Sequence, residues 1–177
     1  MTIVDHIVRA ANGMPQGGGY VWNNDRTDGG GCLKDLVHPD GSVILKAGRG
    51  TYCCGLTLEM LWRGWESYSK TSGEPFMRGL SADRAKQLQR AWFCIGTRKG
   101  AQDALVSAGL GVPVRREEAR LGDFVQFWRT NGSGHSALVV SLARGRLAYL
   151  STQKKTNGFG LIVEPATREI YIVRPTA

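Results

Sequence analysis

Two adjacent thiols, Cys53 and Cys54, stand where a glycine-containing approach (Gly48, Gly50) gives way to residues of helical character. The first turn of a helix offers unpaired backbone N–H groups and the positive end of the dipole, and both favour a thiolate. A thiolate that meets an imidazole is a nucleophile with its base, the pairing used in acyl transfer. The chain has three histidines, His6, His38 and His135. His6 falls in a first helix and His38 beside a hairpin turn, and both are expected to be incidental surface residues. His135 follows Asn131-Gly132-Ser133-Gly134 and opens a strongly apolar strand. There the backbone is anchored while the ring projects at a sheet edge. Consecutive helical positions point about 100° apart, so only one of Cys53 and Cys54 can face that ring.

Several elements must bring these groups together. Ile3, Val4, Ile7, Val8 and Ala11 have helical spacing over residues 3–12, and Gly13 could end that helix. A glycine-rich loop runs through Gly31. Asp40-Gly41 between Leu36-Val37 and Val43-Ile44-Leu45 signals a hairpin. A helix from Cys53 to about Tyr68 carries a wide apolar stripe (Leu58, Leu61, Trp62, Trp65, Tyr68), and Gly64 within it would permit close packing. Ser81 caps a helix over 82–94, and Ala101–Ala108 forms a third short helix stopped by Gly109. After Pro113 the pattern turns extended. Strands are expected at 124–128, 137–142, 146–152, 161–163 and 170–173, joined by short turns as an antiparallel meander. The expectation is one α+β domain over 1–177, helices first and a sheet of about five strands after.

In this order the motifs resemble the NlpC-type papain-like cysteine peptidases of bacterial cell walls. An N-terminal helix leads to Tyr20-Val21-Trp22, similar to the family's tyrosine-x-tryptophan segment. Cys53-Cys54-Gly55-Leu56 resembles the nucleophile motif. Gly122-Asp123-Phe124-Val125-Gln126-Phe127 resembles the segment opening the sheet, and Gly134-His135-Ser136-Ala137-Leu138-Val139-Val140 the glycine-histidine strand. The chain departs from the pattern at Tyr52, where the family usually has aspartate. It also carries a hairpin insertion near 24–50, and it has no histidine after His135. The resemblance implies a papain-like fold with helices packed on the sheet. It aligns Cys53 with the nucleophile, with Cys54 as the alternative, and makes His135 the base. Tyr20 would contact substrate, and Trp22 accompanies it in the same segment. The third residue should lie on the strand after His135. Alternation puts Tyr149, Ser151 and Gln153 on one face, and Gln153 has a carbonyl oxygen for the imidazole. Ser151 and Asn157 are the alternatives.

Hydrophobic and charged contents of 42% and 21% are ordinary for a globular chain. No run approaches the roughly 18 apolar residues of a membrane span. The start, Met1 to His6, lacks a basic region followed by an apolar run, so a cytoplasmic location is expected, or delivery to the envelope without a visible signal. Adjacent cysteines rarely bridge and no C-x-x-C pair occurs, so neither a disulfide framework nor a zinc site is expected. No metal or cofactor is implied. The net charge of +8 suits an anionic envelope, whereas the aromatics lie in apolar stripes, which argues against a specific nucleic-acid partner. The implied activity is hydrolysis of a peptide or amide bond, most plausibly in peptidoglycan stem peptides. An acyltransferase or transglutaminase-like enzyme, or a binding module without catalysis, would use the same scaffold.

Overall fold

The computed structural model describes residues 1–22 and 30–177. Residues 23–29, part of the expected glycine-rich loop and insertion, lie outside the described residues. Thr2 and Asp5 exchange hydrogen bonds as a capping box that starts α1 (Ile3–Asn12). Helix α2 (Cys53–Ser72) runs one turn past the expected end, until Gly73 closes it in the left-handed conformation at φ 79°. Ser81 accepts from Arg84 N–H to begin α3 (Ala82–Trp92), which ends two residues early, just before Cys94 turns to φ 56°. Helix α4 (Ala101–Ala108) stops at Gly109 as expected.

The main sheet has seven antiparallel strands where about five were expected. Its strands are β1 (Gly17–Gly18), β4 (Gly111–Val114), β5 (Phe124–Trp128), β6 (Gly134–Ala143), β7 (Arg146–Gln153), β8 (Gly158–Pro165) and β9 (Glu169–Pro175). The two additions are short edge strands, one made of glycines and one carrying Pro113, compositions that hide strand character. The hairpin of β2 (Leu36–Val37) and β3 (Val43–Leu45) forms a separate two-stranded sheet.

The order β1-β8-β7-β6-β5-β9-β4 departs from a simple meander, because β9 returns beside β5 and not β8. Only residues 166–168 join β8 to β9. From Pro165 to Glu169 such a link spans at most about 14 Å. Flat strands four places apart would stand about 19 Å apart. The sheet must therefore curl, and it acquires two interiors. Phe124, Leu138, Val173 and Leu150 face the helices, while Val125, Phe127, Val139, Tyr149 and Ile172 fill the concave side.

Helix α1 crosses α2 at Gly64. A Cβ there would lie 2.4 Å from Ile7 Cγ1 and 2.9 Å from Ile7 Cα, so only hydrogen fits. No described helix is long and apolar enough to cross a membrane. Gly64→Val should destabilise the fold by about 3 kcal/mol through overpacking, read as a lowered urea midpoint. A midpoint equal to that of the unmodified chain would show that α1 yields without cost.

Candidate active site

The start of α2 is fixed from three sides. Thr51 Oγ1 and Thr152 Oγ1 of β7 are 2.7 Å apart, tying the residue before the N-cap to the sheet. Tyr52 N–H donates to the Gly31 carbonyl at 3.2 Å. At Gly55 a Cβ would come within 1.9 Å of the Gly30 carbonyl oxygen, so this loop lies directly on the first turn. Buried Glu59 accepts from Leu33 N–H at 2.6 Å and pairs with Arg63, holding the loop's far end. Within the helix, Thr57 Oγ1 donates to the Cys53 carbonyl at 2.8 Å and accepts from Trp92 Nε1 at 3.0 Å. Tyr52, at the N-cap, offers no side-chain oxygen to the first turn. Backbone N–H groups there have no side-chain acceptor at the cap, the condition that favours negative charge.

His135 opens β6 opposite Phe127 of β5, and it is 5% exposed. Its ring packs against Phe127 and Tyr149 at centroid distances of 5.4 and 5.5 Å. Across a cleft of about 700 Å³ it meets Cys53, with Tyr20, Trp22, Trp128 and Gln153 among the other walls. The Cys53 thiol is held well below its ordinary range. A hydrogen bond with the Cys54 thiol, whose sulfur lies 3.7 Å away, is the largest cause. The charge and hydrogen bond of His135 and the Ser136 backbone N–H add to it, against burial. Cys54 is pushed the other way by the same hydrogen bond and by burial. Burial raises Cys94, in the same cleft, to about 11. It raises the distant Cys32 to about 12, with Glu59 adding to the effect. One of four thiols is thus favoured to ionise.

Gln153 closes β7 with its Nε2 3.4 Å from His135 Nε2. As placed, the amide nitrogen and not the expected carbonyl oxygen is the nearer end, and it also donates to Tyr149 Oη at 2.5 Å. Presenting the oxygen to the ring requires the amide to flip and Tyr149 Oη to turn its proton from Glu164 to that oxygen. The alternatives do not reach the imidazole. Ser151 is fully buried and donates to the Ser136 carbonyl at 2.7 Å. Asn157 sits exposed at φ 47° beyond the strand, where its carbonyl accepts from Gly19 N–H.

Tyr20 is bridged through its backbone to Thr51, and burial followed by the nearby Cys53 raises its phenol. Trp22 is 47% exposed and sets its ring edge against Tyr52 at 5.1 Å. The other two histidines correct the surface expectation. His6 is 2% exposed and hydrogen-bonded to Ser67 Oγ at 2.8 Å. His38 reaches the Leu80 carbonyl at 2.8 Å. Neither lines the cleft.

Sequence reasoning missed the layer behind Gln153. Tyr149 Oη donates to Glu164 at 2.9 Å, and Arg129 pairs with the same carboxylate at 2.8 Å. Burial and then Glu164 push the Tyr149 phenol well up, which keeps its proton in place. Alternation along β7 put Tyr149 on the face of Gln153, but the strand expected at 161–163 stopped short of Glu164, which β8 carries two residues beyond Ile162, the pairing partner of Tyr149. Ser136 and Gln126 form a second hidden pair, Ser136 Oγ donating to Gln126 Oε1 at 2.7 Å.

Comparison with known proteins finds no matching protein-family model, no matching curated protein and no matching solved structure. The reading of this site therefore rests on its own geometry. Among the described residues no group of three or more histidine, cysteine or acidic side chains is arranged to hold a metal ion.

Iodoacetamide at pH 6 should alkylate Cys53 ahead of Cys32, Cys54 and Cys94, because only a thiolate reacts appreciably. A depressed acid is ionised above its own pKa, so the Cys53 rate should stay high as pH falls through the ordinary thiol range of about 8–9. Peptide mapping of the labelled chain gives the order. Equal labelling of all four would remove the distinction.

Proposed function

We propose that this protein is a cysteine-dependent hydrolase of peptide or amide bonds, with Cys53 as nucleophile, His135 as base and Gln153 orienting the imidazole. The observation that carries this reading is the Cys53 sulfur. It sits at a helix start without a side-chain cap and shares an open cleft with a histidine held by the sheet, whose charge is among the causes that lower its pKa. The helices before an antiparallel sheet, and the order of cysteine, histidine and amide along the chain, support a papain-like arrangement.

In the mechanism, His135 takes the proton of Cys53 and the thiolate attacks the carbonyl carbon. The oxyanion lies near the backbone N–H groups of the first turn, which stabilise developing negative charge. The imidazolium then gives its proton to the departing amine as the C–N bond breaks, leaving a thioester on Cys53. Water, deprotonated by His135, attacks the thioester and releases the acid and the thiol. Gln153 serves the charged imidazole by presenting its carbonyl oxygen to Nε2–H. The net charge of +8 and the two tryptophans of the cleft agree with a peptidoglycan stem peptide as substrate, reached outside the cytoplasm by a delivery route of its own.

Cys53→Ala and His135→Ala should each abolish release of amino groups from purified peptidoglycan or its stem peptides while leaving the circular dichroism spectrum unchanged. Full activity in Cys53→Ala would move the nucleophile to Cys54. Adding a competing amine separates hydrolysis from acyl transfer, since a transferase would return amide in place of acid. Gln153→Ala should lower kcat about tenfold, the scale of one hydrogen bond to a charged group. Tyr149→Phe should lower it similarly, and the double variant should lose no more than either alone, because both act through one amide. Additive losses would assign Tyr149 to packing only.

A further inference from the structure

The two neighbouring sulfurs differ in more than their distance from the imidazole. Cys54 follows Cys53 on the first turn of α2 and lines the same cleft, its sulfur 3.7 Å from that of Cys53. Adjacent α-carbons stand about 3.8 Å apart, short of the roughly 4.4 Å at which a disulfide closes without distortion. The pair therefore cannot easily bridge, and the contact is one of thiol to thiol. Besides Cys53, the side chains that act on Cys54 are Ser136 of β6 and Cys94, which follows α3. Ser136 has one hydroxyl proton, and Gln126 Oε1, buried and 2.7 Å away, receives it. Ser136 has no second proton for the Cys54 sulfur. The S–H of Cys54 then has two acceptors within reach, the Ser136 oxygen and the Cys53 sulfur. An ionised acceptor takes the stronger hydrogen bond, so the proton goes to Cys53 whenever Cys53 is a thiolate.

We propose that Cys54 is a positioning residue, a standing S–H donor to the Cys53 thiolate, kept in place by the Gln126–Ser136 pair. The assignment rests on the hydrolase reading above and extends it. The nucleophile is stabilised by a neighbour on its own helix as well as by His135. The raised pKa of Cys54 agrees, because a donor must stay protonated where its partner has ionised.

The test is the pH dependence of Cys53 alkylation by iodoacetamide, followed by peptide mapping in the full chain. It needs no substrate. Cys54→Ala should move the Cys53 midpoint upward and slow alkylation at pH 6 about tenfold, the scale of a hydrogen bond to an ion. Cys54→Ser, which restores a donor of similar size, should recover most of that loss. An unchanged profile in Cys54→Ala would overturn the donor role while leaving Cys53 as nucleophile. So would a Cys54→Ser profile identical to that of Cys54→Ala. Preferential labelling of Cys54 in the unmodified chain below pH 7 would instead overturn Cys53 as the nucleophile and the donor role with it. Circular dichroism of each variant separates these outcomes from loss of fold, and an unfolded Cys54→Ala leaves the Cys54→Ser comparison to decide: a profile close to that of the unmodified chain supports the role, and a raised midpoint overturns it.

Discussion

Everything at the site depends on one junction, the seating of the first turn of α2 between a backbone loop and the sheet. The contact of Thr51 with Thr152 joins the helix start to the strand that ends in Gln153. The loop at Gly30 and Gly31 presses on Gly55 with no side chain between. Sulfur, imidazole and amide come from three elements distant in sequence, and this junction sets their spacing. A helix whose opening N–H groups have no side-chain cap loses stability relative to a capped one. Here that cost falls where a negative charge offsets it.

Behind the junction, the polar groups are arranged in depth. Gln153 touches His135, Tyr149 touches Gln153, and Glu164 with Arg129 closes the series at the edge of the cleft. On the other flank, Ser136 and Gln126 stand behind Cys54. Buried polar groups of this kind are costly unless each finds a partner. Their hydrogen bonds also lock rotamers around the reacting atoms, as a preorganised site requires.

Much of this was legible in the residues. The apolar stripe of α2, the caps Thr2 and Ser81, and the turn at Asp40-Gly41 act locally, so periodicity placed their elements within a few residues. Five of the seven strands were readable because Val, Ile, Phe and Tyr fill them. Gly17–Gly18 and Gly111–Val114 were not, since such segments become strands only through the partners they meet. His135 and Gln153 could be singled out because the strand order puts them at neighbouring ends. Glu164 could not, because the strand expected from apolar residues ended at Val163, whereas β8 continues to Pro165 beside the strand of Tyr149. His6 was misjudged although it stands three residues after Ile3 on the apolar face of α1, the face that packs on α2 and meets Tyr68 and Ser67.

The curl has a further consequence for the order of events in the proposed reaction. One side of the imidazole is sealed by Phe127 and Tyr149, which belong to the dry concave interior, and the thiol lies across the open side. In that reaction the reactants enter through the cleft. The leaving amine must vacate it before water or any other acceptor can approach the thioester, which imposes a ping-pong sequence. On the proposed reading, the identity of the second reactant would be decided by what the cleft admits between walls that include Tyr20 and Trp22.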